Sequence, residues 1–338
     1  MNSDPRSSAQ VSGSRERAVW LRHETVLLAV VALEVLYFNS VGRNFGTAAN
    51  VANIVRQSAE IGLLALVMTP VILTGGIDLS VGSLLGLCAI AFGMLWKDAG
   101  LSPWLAALGT VGVGALGGGL NAALITRLRL PPLIVTLGTF SLFRGLAEAF
   151  TGGTRAFTNF PSAFLSLGNG FALGAPVQAW IFAVVATGVW VLVHRTTFGR
   201  AFRAIGFAPE GTRYAGTPVE RRVALAYTLA GAVAGLAAVV FVSRVTEARA
   251  NAGIGYELAA ITAVVLGGTS IFGGAGSVHG TLLGIVAIAV LTNGLSRILS
   301  ITAISRELSG MLTGALLLLA LAAGALTKTF SERRAKKG

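Results

Sequence analysis

Residues 267–284, GGTSIFGGAGSVHGTLLG, place seven glycines and one histidine between two long apolar segments. Without a Cβ, glycine lets a chain turn sharply or a neighbouring backbone come close, and both uses matter where water is scarce. A shorter relative lies upstream at 72–86, ILTGGIDLSVGSLLG, in which an apolar run ends at Gly75-Gly76 and a brief polar turn leads into Ser83-Leu84-Leu85-Gly86. The later stretch has Thr281-Leu282-Leu283-Gly284 at the matching place. Two apolar runs, each broken by glycines and resumed, imply an all-α polytopic membrane protein.

Composition supports that reading. Of 338 residues 54% are hydrophobic and 12% charged, about half the charge of a soluble domain. About 20 apolar residues of helix cross the hydrocarbon, which gives ten predicted spans at 25–41, 57–75, 78–96, 102–126, 131–150, 178–194, 222–243, 256–273, 277–297 and 302–326. Those beside the glycine breaks could be broken or re-entrant. Residues 1–24 then form a polar N-terminal tail, 25–326 the transmembrane domain, and 327–338 a basic C-terminal tail.

The net charge of +12 follows from topology. With both termini in the cytoplasm, 17 of the 26 Lys and Arg fall in inner segments, as the positive-inside rule requires. Nucleic acid is therefore not an expected partner, whereas lipid is. Outside, the mixed aromatic and polar stretch 151–177 suits a lid or a docking surface. Inside, the loop 195–222 is the largest feature, with Pro209 and Glu210 placed as at a helix start and Gly216 as at its stop. Gly82/Gly86, Gly114/Gly118, Gly231/Gly235 and Gly276/Gly280/Gly284 have the spacing of close helix packing.

No phosphate-binding glycine loop with its lysine occurs, nor zinc-ligand spacing among His23, His194 and His279, nor a nucleophile elbow. No catalytic or metal-binding residue is expected, and the single Cys88, inside an apolar run, reads as packing. Few ionisable residues lie within spans: Glu34, Glu60, and the i,i+4 pair Arg144 and Glu148, which can meet on one helix face. Asp78 suits a helix cap for backbone N–H groups freed at the break. Ser80, Ser83, Thr269 and Ser270, with Glu60, could line a path; Ser277 and His279 could do so or satisfy a turn.

The runs Gly75-Gly76-Ile77-Asp78-Leu79-Ser80-Val81-Gly82-Ser83 and Gly255-Tyr256-Glu257-Leu258, followed by Ala263-Val264-Val265-Leu266-Gly267-Gly268-Thr269-Ser270, resemble the permeases of ABC-type monosaccharide importers, the ribose family. The resemblance covers about 45–326. It implies a ten-helix, type II importer permease paired with a second permease chain in a bacterial inner membrane. It also implies a binding protein that delivers sugar from outside, and separate subunits that use ATP and Mg, so that this chain binds no cofactor. The loop 195–222 matches the family's coupling helix, with Ala204, Gly206, Pro209, Glu210, Arg213, Tyr214, Ala215 and Gly216 as the residues expected to seat on the ATP-binding subunit. Where the usual pattern has Gly-Gly-Asn, this chain has Gly206-Phe207-Ala208; that variant is similar to permeases for rhamnose or autoinducer-2, whose systems pair either like or unlike chains.

An ion-coupled carrier using Glu60 and Glu148, or a facilitative channel, are the other classes the composition allows. On this topology both breaks fall at the cytoplasmic face, so Gly75, Gly76, Asp78, Gly267, Gly268, Gly273, Gly274 and Gly276 are expected to act as hinges near an inner gate.

Overall fold

A chain in hydrocarbon must bond its backbone polar groups internally, and long apolar runs do so as helices. The computed structural model describes residues 24–42 and 44–302, together with Met311 and Ala315. In order come α1 (Glu24–Val41), α2 (Ala48–Leu73), α3 (Val81–Gly93, prolonged by a wide turn, Met94–Asp98), α4 (Pro103–Thr126), α5 (Pro132–Thr151) and α6 (Ser162–Asn169). A hairpin of β1 (Phe171–Ala172) and β2 (Ala175–Pro176) leads to α7 (Val177–Arg195), α8 (Thr197–Phe207), α9 (Pro209–Tyr214), α10 (Val219–Val245), α11 (Tyr256–Leu266) and α12 (Val278–Thr302).

Among the described residues eight helices are long and apolar enough to cross a membrane. They correspond to eight of the ten predicted spans; the span at 302–326 and both predicted tails lie essentially outside the described residues. The exception is 256–273, where only α11 forms. Gly267-Gly268 stops it, because the Gly268 backbone is left-handed (φ +87°) and L side chains avoid that region. The break continues through irregular backbone to Val278. Likewise α3 begins only at Val81, after an irregular segment 76–80. At its other end α2 starts at Ala48 rather than 57, because Thr47 caps it, accepting from the Asn50 N–H.

The core centres on α2, α3 and α10. From Glu60 to Leu73 α2 is almost wholly buried, and α3 is buried from Val81 to Ile90. Helix α4 lies on α10 along a glycine seam. A Cβ at Gly231 would stand 2.2 Å from the Gly114 carbonyl, and one at Gly118 would stand 2.3 Å from the Tyr227 carbonyl. The spacing Gly114/Gly118 and Gly231/Gly235 thus marks a real backbone-to-backbone contact, where dispersion rather than the hydrophobic effect holds helices together. Helix α1 joins at the edge, with the Phe38 ring laid on Gly294 of α12.

The two ends of the bundle differ. One carries the hairpin, α6 and an aromatic cluster in which Phe92 stacks on Phe164 at 4.6 Å. The other carries α8, α9 and both glycine breaks.

Candidate functional site

The connection from α7 to α10 folds as two helices, not one. Thr196 caps α8 by accepting from the Phe198 N–H (3.1 Å), and Phe198, Phe202 and Ile205 repeat at helical spacing, with Phe202 and Ile205 buried. Arg203 donates to the carbonyls of Val193 (3.1 Å) and Gly276 (3.3 Å), which ties α8 to the second break; burial draws its guanidinium below its ordinary pKa.

Gly206, near the end of α8, sits where the two breaks meet. A Cβ there would stand 2.1 Å from the Leu73 carbonyl and 2.3 Å from the Gly274 nitrogen. The breaks bond to each other directly, the Gly274 N–H donating to Leu73 O at 3.0 Å. A Cβ at Gly273 would fall 2.7 Å from the Gly75 nitrogen and 3.0 Å from Gly206 Cα. The structure therefore brings together Gly75, Gly206, Gly273 and Gly274 in one junction built from main chain. What such an arrangement can do is mechanical: a shift of α8 bears on the end of α2 and on the α11–α12 break at once.

Helix α9 forms where Pro209, Glu210 and Gly216 predict it, and Gly216 ends it in the left-handed region (φ +81°). Arg213 donates to Glu210 (2.6 Å) and Glu220 (2.7 Å), and these hydrogen bonds hold its guanidinium above its ordinary pKa. Ala204, Pro209, Glu210, Arg213, Ala215 and Gly216 are exposed. Tyr214 is 89% exposed and Phe207 88%. The sequence reading noted Phe207 only within the Gly206-Phe207-Ala208 variant and not as a docking candidate; its signal is an aromatic residue at a helix end directly before Ala208-Pro209.

The first break carries a buried polar network. Asp78 Oδ1 accepts from the Ser80 N–H (2.8 Å) and hydroxyl (2.6 Å); it therefore holds a turn just ahead of α3 rather than capping the helix, whose N-cap position is Ser80. Asn121 donates to Ser80 Oγ (2.8 Å), and Thr139 donates to Asn121 (2.7 Å). Ser83 donates back to the Ser80 carbonyl (2.9 Å). Gly76 lies against the Tyr227 hydroxyl, 2.3 Å from where a Cβ would be.

In the second break the Ser277 hydroxyl accepts from the Gly280 N–H (2.9 Å), opening α12, and Ser270 Oγ accepts from the Phe272 N–H (3.3 Å). Thr269 is buried against Gly276, and Gly267 packs on Gly280, with 2.3 Å from a Cβ to the Gly280 carbonyl. His279 accepts from the Trp190 indole (2.9 Å), and its ring centroid is 5.2 Å from that of His194. The fold joins two histidines that are distant in sequence. Among the described residues no third ligand makes this a metal group.

Glu60 stands apart from these serines and threonines. Fully buried, it pairs with Arg244 of α10 at 2.7 Å, so its known contact is structural. One further expectation requires correction. Arg144 does not pair with Glu148, which is exposed; it reaches across to the carbonyls of Ala250 and Ala252 (3.0 Å to the latter), since two fixed acceptors outcompete a solvated carboxylate. Gly82/Gly86 do mark a close backbone approach: a Cβ at Gly82 would stand 2.6 Å from the Gly253 carbonyl and one at Gly86 would stand 2.9 Å from that of Ala252, on the segment leading into α11. Gly82 makes room for Glu257 and the Gly253 carbonyl, and Gly86 for Arg144.

Comparison with known proteins agrees with this architecture. Residues 50–321 match the family described as branched-chain amino acid transport system, permease component. The autoinducer 2 import system permease protein LsrD of Escherichia coli (strain K12) is 37% identical over 300 residues, covering 87% of this chain and 89% of that one. The protein of the same name from Yersinia enterocolitica is 40% identical over 293 residues, covering 84% and 88%. A solved structure described as a metal-chelate type ABC transporter in an inward-facing conformation superposes with a TM-score of 0.51 at 15% identity, over 90% of this chain and 99% of that one. That likeness concerns the fold alone. With the family match spanning most of its length and two relatives above a third identical, the chain belongs to the branched-chain amino acid transport system permease family, as a multi-pass permease component of the ABC importer type.

Proposed function

We infer that this chain forms the membrane path of an ATP-driven importer for a small sugar-like molecule, with autoinducer 2 the first candidate and rhamnose or ribose behind it. The observation that carries the substrate class is the 37–40% identity, over 84–87% of the chain, to proteins named as autoinducer 2 import permeases. The glycine junction supports the mechanism. A separate ATP-binding subunit, using ATP and Mg, grips α9 through Phe207, Glu210, Arg213 and Tyr214, and its closure drives α8 against both breaks. The end bearing α8 and α9 then lies in the cytoplasm with both termini, the hairpin end faces an extracytoplasmic sugar-binding protein, and a second permease chain, like or unlike, completes the path. The site is a bacterial inner membrane, and this chain itself carries no cofactor and no ATPase residues.

The test is uptake into proteoliposomes holding the permease with its ATP-binding subunit and binding protein. Autoinducer 2 accumulates with ATP, and stops when the ATP-binding subunit loses its catalytic residue. Uptake that survives this loss but collapses with the proton or sodium gradient would replace the reading with an ion-coupled carrier. Equilibration without accumulation would replace it with a channel.

A further inference from the structure

Helix α11 is suspended between two glycine seams. On one side Gly280 and Gly284 of α12 leave room for the carbonyls of Gly267 and Ala263, 1.9 and 2.0 Å from where Cβ atoms would stand. On the other, Gly82 and Gly86 of α3, one turn apart, face the segment leading into α11 and two charged side chains. A Cβ at Gly82 would stand 2.0 Å from Glu257 Oε2, and one at Gly86 would stand 2.7 Å from Arg144 Nη1. Each side chain spends half of its capacity locally. Arg144 Nη1 holds the Ala250 and Ala252 carbonyls, and Glu257 Oε1 accepts from the Gly255 N–H (3.2 Å). The other halves, Arg144 Nη2 and Glu257 Oε2, are buried without a hydrogen-bond partner among the described residues.

A strut needs only the first halves. Leaving a charged donor and a charged acceptor unsatisfied is expensive, more so at membrane depth, so each calls for a partner beyond the protein, a bound water, an ion or a solute. Glu257 is 8% exposed. Near the pair α5 exposes Ser141 between Leu137 and Leu142, and Asn251 is exposed on the segment leading into α11.

We propose that Arg144 and Glu257, spaced by Gly82 and Gly86, form a way-station for a hydroxylated solute inside the path, reading a pair of neighbouring hydroxyl groups. One hydroxyl donates to Glu257 Oε2 and the other accepts from Arg144 Nη2, a donor-and-acceptor pairing that a diol satisfies in one molecule and lipid tails do not. The inference rests on the import reading above and assigns its ligand contact.

The experiment compares wild type with Glu257→Gln and Arg144→Lys in the complete transporter. Rates are followed against concentration of loaded binding protein, with autoinducer 2, rhamnose and ribose each offered. Glu257→Gln keeps shape and Oε1, and should lower the maximal uptake rate at least ~10-fold, the size of a lost charged hydrogen bond. Half-saturation for the loaded binding protein should stay within twofold, because that docking lies outside. Arg144→Lys keeps a donor for the two carbonyls but loses the second, and should fall similarly. Melting temperature and co-purification with the ATP-binding subunit report folding independently. Maximal uptake by a well-folded Glu257→Gln within twofold of wild type overturns the station and leaves the import reading standing. No ATP-dependent import of any of the three solutes by wild type overturns both.

Discussion

Replacing Gly206 by alanine tests whether α8 transmits motion through the junction. The new Cβ would stand 2.1 Å from Leu73 O and 2.3 Å from Gly274 N, where real Cβ contacts stay beyond 3.0 Å; the shortfall is roughly 0.9 Å, on the steep wall of the dispersion potential. Both opposing atoms are main chain, so no rotamer can yield, and α8 must withdraw by about that distance. Overpacking of this kind costs about 1–3 kcal/mol, little enough for the chain to fold. The proposed docking residues Glu210, Arg213 and Tyr214 lie beyond the clash and keep their exposure. The expected outcome is a transporter that assembles and hydrolyses ATP but imports at least ~10-fold more slowly, since a misplacement of about 1 Å at a positioned element costs on the order of 100-fold. The assay pairs ATP hydrolysis with uptake in the same proteoliposomes. Coupled uptake at the wild-type rate by Gly206→Ala would refute the junction as the transmission point.

Along the α4–α10 seam, Gly231→Ala should destabilise by about 1–3 kcal/mol, read as a lowered melting temperature in detergent, whereas Gly112→Ala on the same α4, with nothing within 4 Å, should not. Glu60→Gln leaves Arg244 without its charge partner, and a melting curve should register a loss on the order of 3 kcal/mol. Phe207→Ala and Tyr214→Ala should each weaken co-purification with the ATP-binding subunit, by about 2 kcal/mol if they anchor the interface, while leaving melting unchanged because both rings are nearly free of contacts. The double variant Glu210→Ala, Arg213→Ala should reduce the same co-purification; undiminished binding in all these variants would move the docking site elsewhere.

Long spans were readable because apolar length has a single solution in lipid, and the glycine seam was readable because Gly114/Gly118 and Gly231/Gly235 each present one face. Helix α8 was not read: Arg200 and Arg203 made 197–207 look like an ordinary basic loop, although Thr196 followed by Phe198, Phe202 and Ile205 spells a capped amphipathic helix. Spacing also cannot name the partner of a glycine. Gly82/Gly86 has the same period as Gly114/Gly118, yet it also shelters Arg144 and Glu257, because which side chains arrive depends on segments about 60 and about 170 residues later. The same applies to the junction, whose three parts come from distant stretches and share only the absence of side chains.

The seam between α4 and α10 has a consequence for how this chain can change over generations. Its obstruction is reciprocal: a Cβ at Gly114 meets the Gly231 carbonyl at 2.3 Å, and a Cβ at Gly231 meets the Gly114 carbonyl at 2.2 Å. In an ordinary core a larger residue on one side can be offset by a smaller one opposite. Here the opposite side is already as small as an amino acid can be. No second substitution rescues the first, so these glycines cannot drift by paired steps, and variation in this permease is pushed outward to the faces that meet lipid and partners.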